Sequence, residues 1–222
     1  MIRIEGLRHH LINIPELTLK GGKTAVIGRN GAGKTTFLEL LAGIDAPWKG
    51  SVLLDGRPPR DLRIGWVGEF PDHTMLFSRV YDEVSSSLRF TRVPVPEADR
   101  RVHDTLESLQ ALHLLSRTTA ELSGGEKALV AFAAALVNSP HVLILDEVDS
   151  HLDEVYAERI WGSLFMDERQ TVFSTQDMDV ASKADEVVLL QGGEVLRHGS
   201  PQEVFSADED SCLYPNLWRL RE

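Results

Sequence analysis

Gly28-Arg29-Asn30-Gly31-Ala32-Gly33-Lys34-Thr35-Thr36 is the stretch best equipped for chemistry. It fits the spacing G-x-x-x-x-G-K-[ST], in which glycines let the backbone curl until several N–H groups converge on anionic oxygens. A helix N-terminus behind such a loop adds partial positive charge, Lys34 adds a full one, and the Thr35 hydroxyl can ligate Mg²⁺. A triphosphate needs this geometry. A glycine-rich turn with an incidental lysine is the plain alternative. Thr24-Ala25-Val26-Ile27 before the loop reads as a buried strand, and Thr35 to Leu41 after it as an apolar helix ended by Gly43, which speaks against that alternative.

Two further segments carry chemistry. His141-Val142-Leu143-Ile144-Leu145-Asp146-Glu147 is an apolar strand ending in two carboxylates. In open α/β sheets ligands bind at the carboxyl ends of strands, so Asp146 would hold the Mg²⁺ shell opposite Thr35. Glu147 would face the terminal phosphate and orient or deprotonate an attacking water. Standing alone, the pair reads equally well as an acidic loop after a core strand. Leu122-Ser123-Gly124-Gly125-Glu126 precedes a helix running to Val137. Ser123 and Glu126 form the capping pattern S-x-x-E. The paired glycines are not needed for capping, and they expose N–H groups at a helix N-terminus, which is an anion site.

The elements that must position these residues follow from the pattern. Strands are expected at Ile2 to Ile4, Leu17 to Leu19, Thr24 to Ile27, Val52 to Leu54 and Ile64 to Val67, then Val142 to Leu145, Thr171 to Phe173 and Val187 to Leu190. Trp48-Lys49-Gly50-Ser51 reads as a turn. From Pro71 to about Leu122 apolar residues recur at helical spacing: Val80, Val84, Leu88, then Val102, Leu106, Leu109, Leu112. A break falls at Val93-Pro94-Val95-Pro96. Strand–helix alternation implies a parallel sheet covered on both faces. The tail is polar at Ser206-Ala207-Asp208-Glu209-Asp210 and apolar at Leu213, Tyr214, Leu217 and Trp218.

Bulk properties bound the partners. The 222 residues suffice for one domain with a substantial core, and the net charge of −11 speaks against a nucleic-acid partner. Cys212 is the only cysteine, which suits a reducing compartment. No apolar run approaches the roughly 20 residues of a membrane span; Ala128 to Val137, the longest, reads as a core helix. Met1 to Glu5 alternates like a strand rather than a signal peptide. Membrane association is therefore expected only through a partner.

The three elements, in this order, resemble the ATP-binding subunits of ABC transporters. Leu122 to Glu126 matches the family signature, and Asp146-Glu147-Val148-Asp149-Ser150-His151-Leu152-Asp153 matches its Walker B end and D-loop. Ile64 to His73, Leu76 to Val84, Asp177-Met178-Asp179 and Gly199 to Phe205 look like the cobalt-type and energy-coupling factor importers, which move vitamins and transition-metal ions. The resemblance implies an α/β fold. Its phosphate-loop NTPase core is a mostly parallel sheet flanked by helices (about 1–69 and 138–222), with an N-terminal antiparallel β part and an inserted helical subdomain (about 70–137). It implies ATP and Mg²⁺ as ligands, with Lys34, Glu147 and Gln176 catalytic and the ion held by Thr35, Asp146 and Glu69. Gly28 to Thr36 and Glu69 would bind the nucleotide. Two such subunits, identical or different, would pair head to tail, so that Ser123, Gly124, Gly125 and Glu126 serve the partner's nucleotide, with Asp153 in the D-loop. An integral membrane subunit would hold the chain on the cytoplasmic face of the membrane.

Three positions depart from the family pattern. Glu69 stands where a glutamine is usual, and Gln176 where a histidine is usual. Glutamine donates a neutral hydrogen bond but cannot relay a proton, and a glutamate near the γ-phosphate repels it unless Mg²⁺ intervenes. Slow hydrolysis with a steep Mg²⁺ requirement is expected. No aromatic adenine-stacking residue stands out near the N-terminus; His9 or His10 are substitutes there, and surface histidines are the plainer reading. Two other functions compete: a soluble ABC ATPase acting as scaffold or assembly factor, and a small-molecule kinase, against which the signature speaks.

Overall fold

A computed structural model describes residues 1–71, 74–150, 152–206 and 214–219. Asp72, His73, His151, Cys212, Leu213 and the polar run Ala207–Asp210 lie outside the described residues. The chain forms β1 (Ile2–His9), β2 (Ile12–Leu19), β3 (Lys23–Ile27), α1 (Lys34–Ala42), β4 (Lys49–Leu54) and β5 (Ile64–Val67). There follow α2 (Val80–Phe90), α3 (Val95–Ser108), α4 (Gly124–Leu136), β6 (Val142–Leu145) and α5 (Glu154–Met166). The last elements are β7 (Gln170–Ser174), α6 (Met178–Ala181), β8 (Glu186–Gln191), β9 (Glu194–Gly199), α7 (Pro201–Phe205) and α8 (Asn216–Arg219). Contacts group them into two units, Met1–Leu62 with Ile144–Glu147 and Arg169–Glu222, and Arg63–Leu143 with Val148–Glu168.

The first unit holds two sheets. One is antiparallel with order β2-β1-β4. In the other, β3 pairs in parallel with β7 and β8, and β8 pairs antiparallel with β9. Strand β3 is buried along its whole length, as an interior strand covered on both faces must be. The last residues of β6 join this sheet beside β7. Helix α1 buries Phe37, Leu38, Leu40 and Leu41, and Gly43 closes it in the left-handed conformation. The hairpin strand β9 went unread in the sequence; its alternating half-exposed pattern contains few apolar residues. Trp218 of α8 packs edge-on against Phe205 at 5.6 Å, which gives the apolar tail its neighbour.

Strand β1 contains an irregularity that matters for the site. Ile2 and Ile4 point inward, and strict alternation would bury residues 6, 8 and 10. The register against β4 instead shifts between Glu5 and Arg8. There Gly6 and Gly50 meet so closely that a Cβ on Gly50 would lie 2.3 Å from the Gly6 carbonyl oxygen. After this bulge Leu7 and His9 face inward. The expected turn at Trp48 to Ser51 is corrected in the same way: Lys49 pairs with Arg8 and Ser51 with Glu5, so β4 begins at Lys49.

The second unit is mainly helical. Strand β5 runs beside β6 where Gly65 approaches α4: a Cβ there would sit 2.7 Å from the Ala135 carbonyl oxygen. Residues Ala128 to Ala133 of α4 are buried, as their apolar composition demands. Val80, Val84 and Leu88 of α2 and Val102 and Leu106 of α3 form its other buried stripes. Glu83, near the start of α2, accepts from the Leu76 and Phe77 N–H groups at 2.9 and 2.8 Å.

Candidate active site

Strand β3 delivers the chain at Ile27 into the loop Gly28–Gly33. Within it the Ala32 N–H donates to the Arg29 carbonyl at 3.0 Å, and the Ala32 carbonyl accepts from the Gly193 N–H at 2.9 Å. Leu11 and Ile12 press on Gly33, whose φ of 102° few side-chain-bearing residues adopt. No side chain caps α1, so the N–H groups of its first turn are left for a ligand. Arg29, Asn30, Gly31 and Thr35 are exposed around this opening, and Thr36 is half-buried.

Lys34 is buried at 5% exposure. Its Nζ donates to the Gly28 carbonyl oxygen at 2.9 Å and lies 3.0 Å from Glu147 Oε1. Gln176 Nε2 donates to Glu147 Oε2 at 2.6 Å. Both oxygens of the Glu147 carboxylate are thus engaged, one by a cation and one by an amide. Glu147 holds a left-handed φ of 42°, and its N–H donates to Ser174 Oγ at 2.9 Å. The same Ser174 hydroxyl donates to Asp146 Oδ1 at 2.6 Å. One buried hydroxyl at the end of β7 therefore fixes both consecutive acidic residues. Burial raises the Glu39 carboxyl above its ordinary pKa, and the charges of Asp146 and Asp45 raise it further against the opposing His9. Glu39 and Asp146 therefore lie close enough to feel each other's charge.

Gly28 to Thr36, Asp146, Glu147 and Gln176 come together in the first unit. Glu69, Ser123, Gly124, Gly125, Glu126 and Asp153 belong to the second. Glu69 follows β5 and is half-buried. The capping box is present: the Glu126 N–H donates to Ser123 Oγ at 3.3 Å, and the Ser123 N–H to Glu126 Oε2 at 2.8 Å. The backbone hydrogen bond from Ser123, aided by the Arg117 charge 2.8 Å away, holds the Glu126 carboxyl below its usual pKa. Ser123 and Gly124 are exposed. A Cβ on Gly125 would lie 2.3 Å from the Tyr156 ring, so a larger residue there requires that ring to move. Asp153 caps α5, its carboxylate accepting from the Tyr156 N–H at 3.1 Å.

Sequence reasoning missed Ser174, although a polar residue closing the apolar run Val172-Phe173 was the available signal. It also placed both histidines on the surface. His10 is exposed, but His9 is buried, because the β1 bulge reverses which residues face inward.

A family profile described as ABC transporter matches residues 13–150. The energy-coupling factor transporter ATP-binding protein EcfA of Enterococcus faecium is 35% identical over 91% of this chain and 77% of its own length. The spermidine/putrescine import ATP-binding protein PotA of Haemophilus influenzae is also 35% identical, over 88% of this chain and 55% of its own length. Among solved structures, cbiO1 from Clostridium perfringens, part of the ABC transporter complex cbiONQ, superposes with a TM-score of 0.82 at 30% identity. The match covers 94% of this chain and 91% of that one.

Proposed function

The chain is an ABC-type ATPase and belongs to the ABC transporter family, and on that premise we propose that it energises import of a vitamin or transition-metal ion through separate membrane subunits. The observation that carries this reading is the buried chain of contacts from Lys34 through Glu147 and Ser174 to Asp146, set behind an uncapped helix N-terminus. The loop N–H groups and Lys34 would take the phosphates of ATP, and Thr35 and Asp146 would hold Mg²⁺, whose charge offsets that of the phosphates. Lys34 would then exchange Glu147 for phosphate oxygen, releasing the carboxylate to orient the attacking water while Gln176 keeps its hydrogen bond. Gln176 has no titratable ring to relay a proton, so turnover is slow.

The exposed Ser123-Gly124 end of α4 suits a nucleotide held mainly by a second subunit. Likeness to EcfA and cbiO1 supports the cargo class; the equal identity to PotA makes a polyamine the rival cargo. No helix among the described residues is long and apolar enough to cross a membrane, so the pathway would belong to other chains. Calorimetry with ATP and Mg²⁺ tests the nucleotide site, and an absence of binding by folded protein refutes it. Co-purification with an integral membrane protein tests the transport role. A chain that hydrolyses ATP but never associates with one would favour the assembly-factor reading.

A further inference from the structure

The turn between β1 and β2 sets two imidazoles side by side, and the loop after α1 brings a carboxylate to them. His9, 3% exposed, ends β1, and His10 follows at a φ of 47°. Their rings meet edge-on, with centroids 4.3 Å apart and planes at 82°. Trp48, 65% exposed, packs against both at 5.1 and 4.8 Å. Asp45 Oδ2 lies 2.8 Å from His9 Nε2, while its Oδ1 accepts from the Ala46 N–H at 2.7 Å. One ligand atom from each of His9, His10 and Asp45 lies within 4.8 Å of the other two. His9 Nδ1 is buried with no hydrogen-bond partner.

We propose that His9, His10 and Asp45 form a binding site for a first-row transition-metal dication of the Zn²⁺, Ni²⁺ or Cu²⁺ type. Two imidazoles and one carboxylate are the donors such ions select, whereas Mg²⁺ takes oxygen alone. This site is therefore chemically distinct from the one at Thr35 and Asp146. Tetrahedral bonds of about 2.1 Å place ligand atoms about 3.4 Å apart. The ligand atoms now lie up to 4.8 Å apart, with His9 Nε2 and Asp45 Oδ2 at 2.8 Å, so the exposed His10 and Asp45 side chains must rotate around the fixed His9 ring to form the site. An ion pair between His9 and Asp45 accounts for neither the second imidazole nor the unpaired Nδ1. With a metal on Nδ1, Nε2–H donates to Asp45, and the carboxylate sets the tautomer; with a metal on Nε2, Asp45 is a direct ligand. In both cases all three residues matter.

The test is titration of the nucleotide-free full chain with NiCl₂ in magnesium-free buffer, followed by heat and by tryptophan fluorescence. Wild type should bind one ion and lose tryptophan emission, since Trp48 touches both rings. His10→Ala and Asp45→Asn, both at exposed positions, should each weaken binding at least tenfold. Trp48→Phe should keep the affinity and remove most of the quench. No binding by wild type, wild-type affinity in either ligand variant, or a quench that survives in Trp48→Phe overturns the site.

Discussion

The phosphate loop before α1 and the Leu122–Glu126 segment before α4 are both glycine-bearing helix N-termini, and they are finished in opposite ways. The first has no side-chain cap, and its charge is held inside: Lys34 is buried between a carbonyl and a carboxylate that Gln176 also grips. The second caps itself with Ser123 and Glu126, is braced by Arg117, and stays exposed at Ser123 and Gly124. A glycine-rich helix start therefore does not define a role by itself. Where the protein leaves the donors unmet and stores a counter-charge behind them, a ligand completes the structure. Where it satisfies two donors itself, the helix stands ready-made and offers only the rest.

Perturbing the two ends separately sharpens this contrast. Glu147→Gln should cut ATP turnover by about 10²- to 10⁴-fold while calorimetry shows ATP still bound. Retained turnover would mean that the buried carboxylate is a structural counter-ion only. Gln176→His should raise turnover by about a hundredfold in a correctly paired complex, measured by phosphate release; no change would show that proton relay there is irrelevant. Ser174→Ala removes the hydroxyl joining Asp146 and Glu147 and leaves a buried N–H unpaired, at about 1–3 kcal/mol. Turnover should fall about tenfold, with a higher Mg²⁺ concentration at half-maximal rate; a lowered melting temperature with unchanged Mg²⁺ dependence would reduce Ser174 to a packing role.

The self-capped end should respond more weakly. Ser123→Ala should cost about 1 kcal/mol in denaturant unfolding through loss of the cap. Glu126→Gln gives the smallest effect, and its sign is set by pH. The folded-state pKa of Glu126 lies below the ordinary value of 4.5. Its contribution is therefore complete above that value and vanishes as pH falls through the folded pKa. The gap between variant and wild type should close between pH 6 and acid conditions; a gap independent of pH would assign the effect to shape rather than charge.

Much of this contrast was legible in the residues. The spacing of Gly28, Gly33 and Lys34, the acidic pair after β6 and the S-x-x-E box each encode a local geometry that needs no distant partner. Strands β5 and β6 begin and end where the apolar runs do. What was hidden depends on residues far apart in the chain. Ser174 acquires its role only because β7 lies beside β6 and aims its last side chain at Asp146. Strand β9 alternates exposed and half-buried residues with none buried, so its membership of the sheet comes from the hairpin with β8 rather than from hydrophobicity. Trp48 read as part of a turn, because nothing local announces that Lys49 pairs with Arg8.

The irregularity at Gly6 acts as a parity switch. Upstream of it even-numbered side chains are interior; downstream of it odd-numbered ones are. Excising that single glycine would restore simple alternation and keep Leu7 and His9 inside; flattening the bulge with the glycine retained would instead turn Arg8 and His10 toward the hydrocarbon interior and Leu7 and His9 toward water. The identity of the imidazole that anchors Asp45 is thus decided three positions away by counting, and not by anything in the imidazole itself.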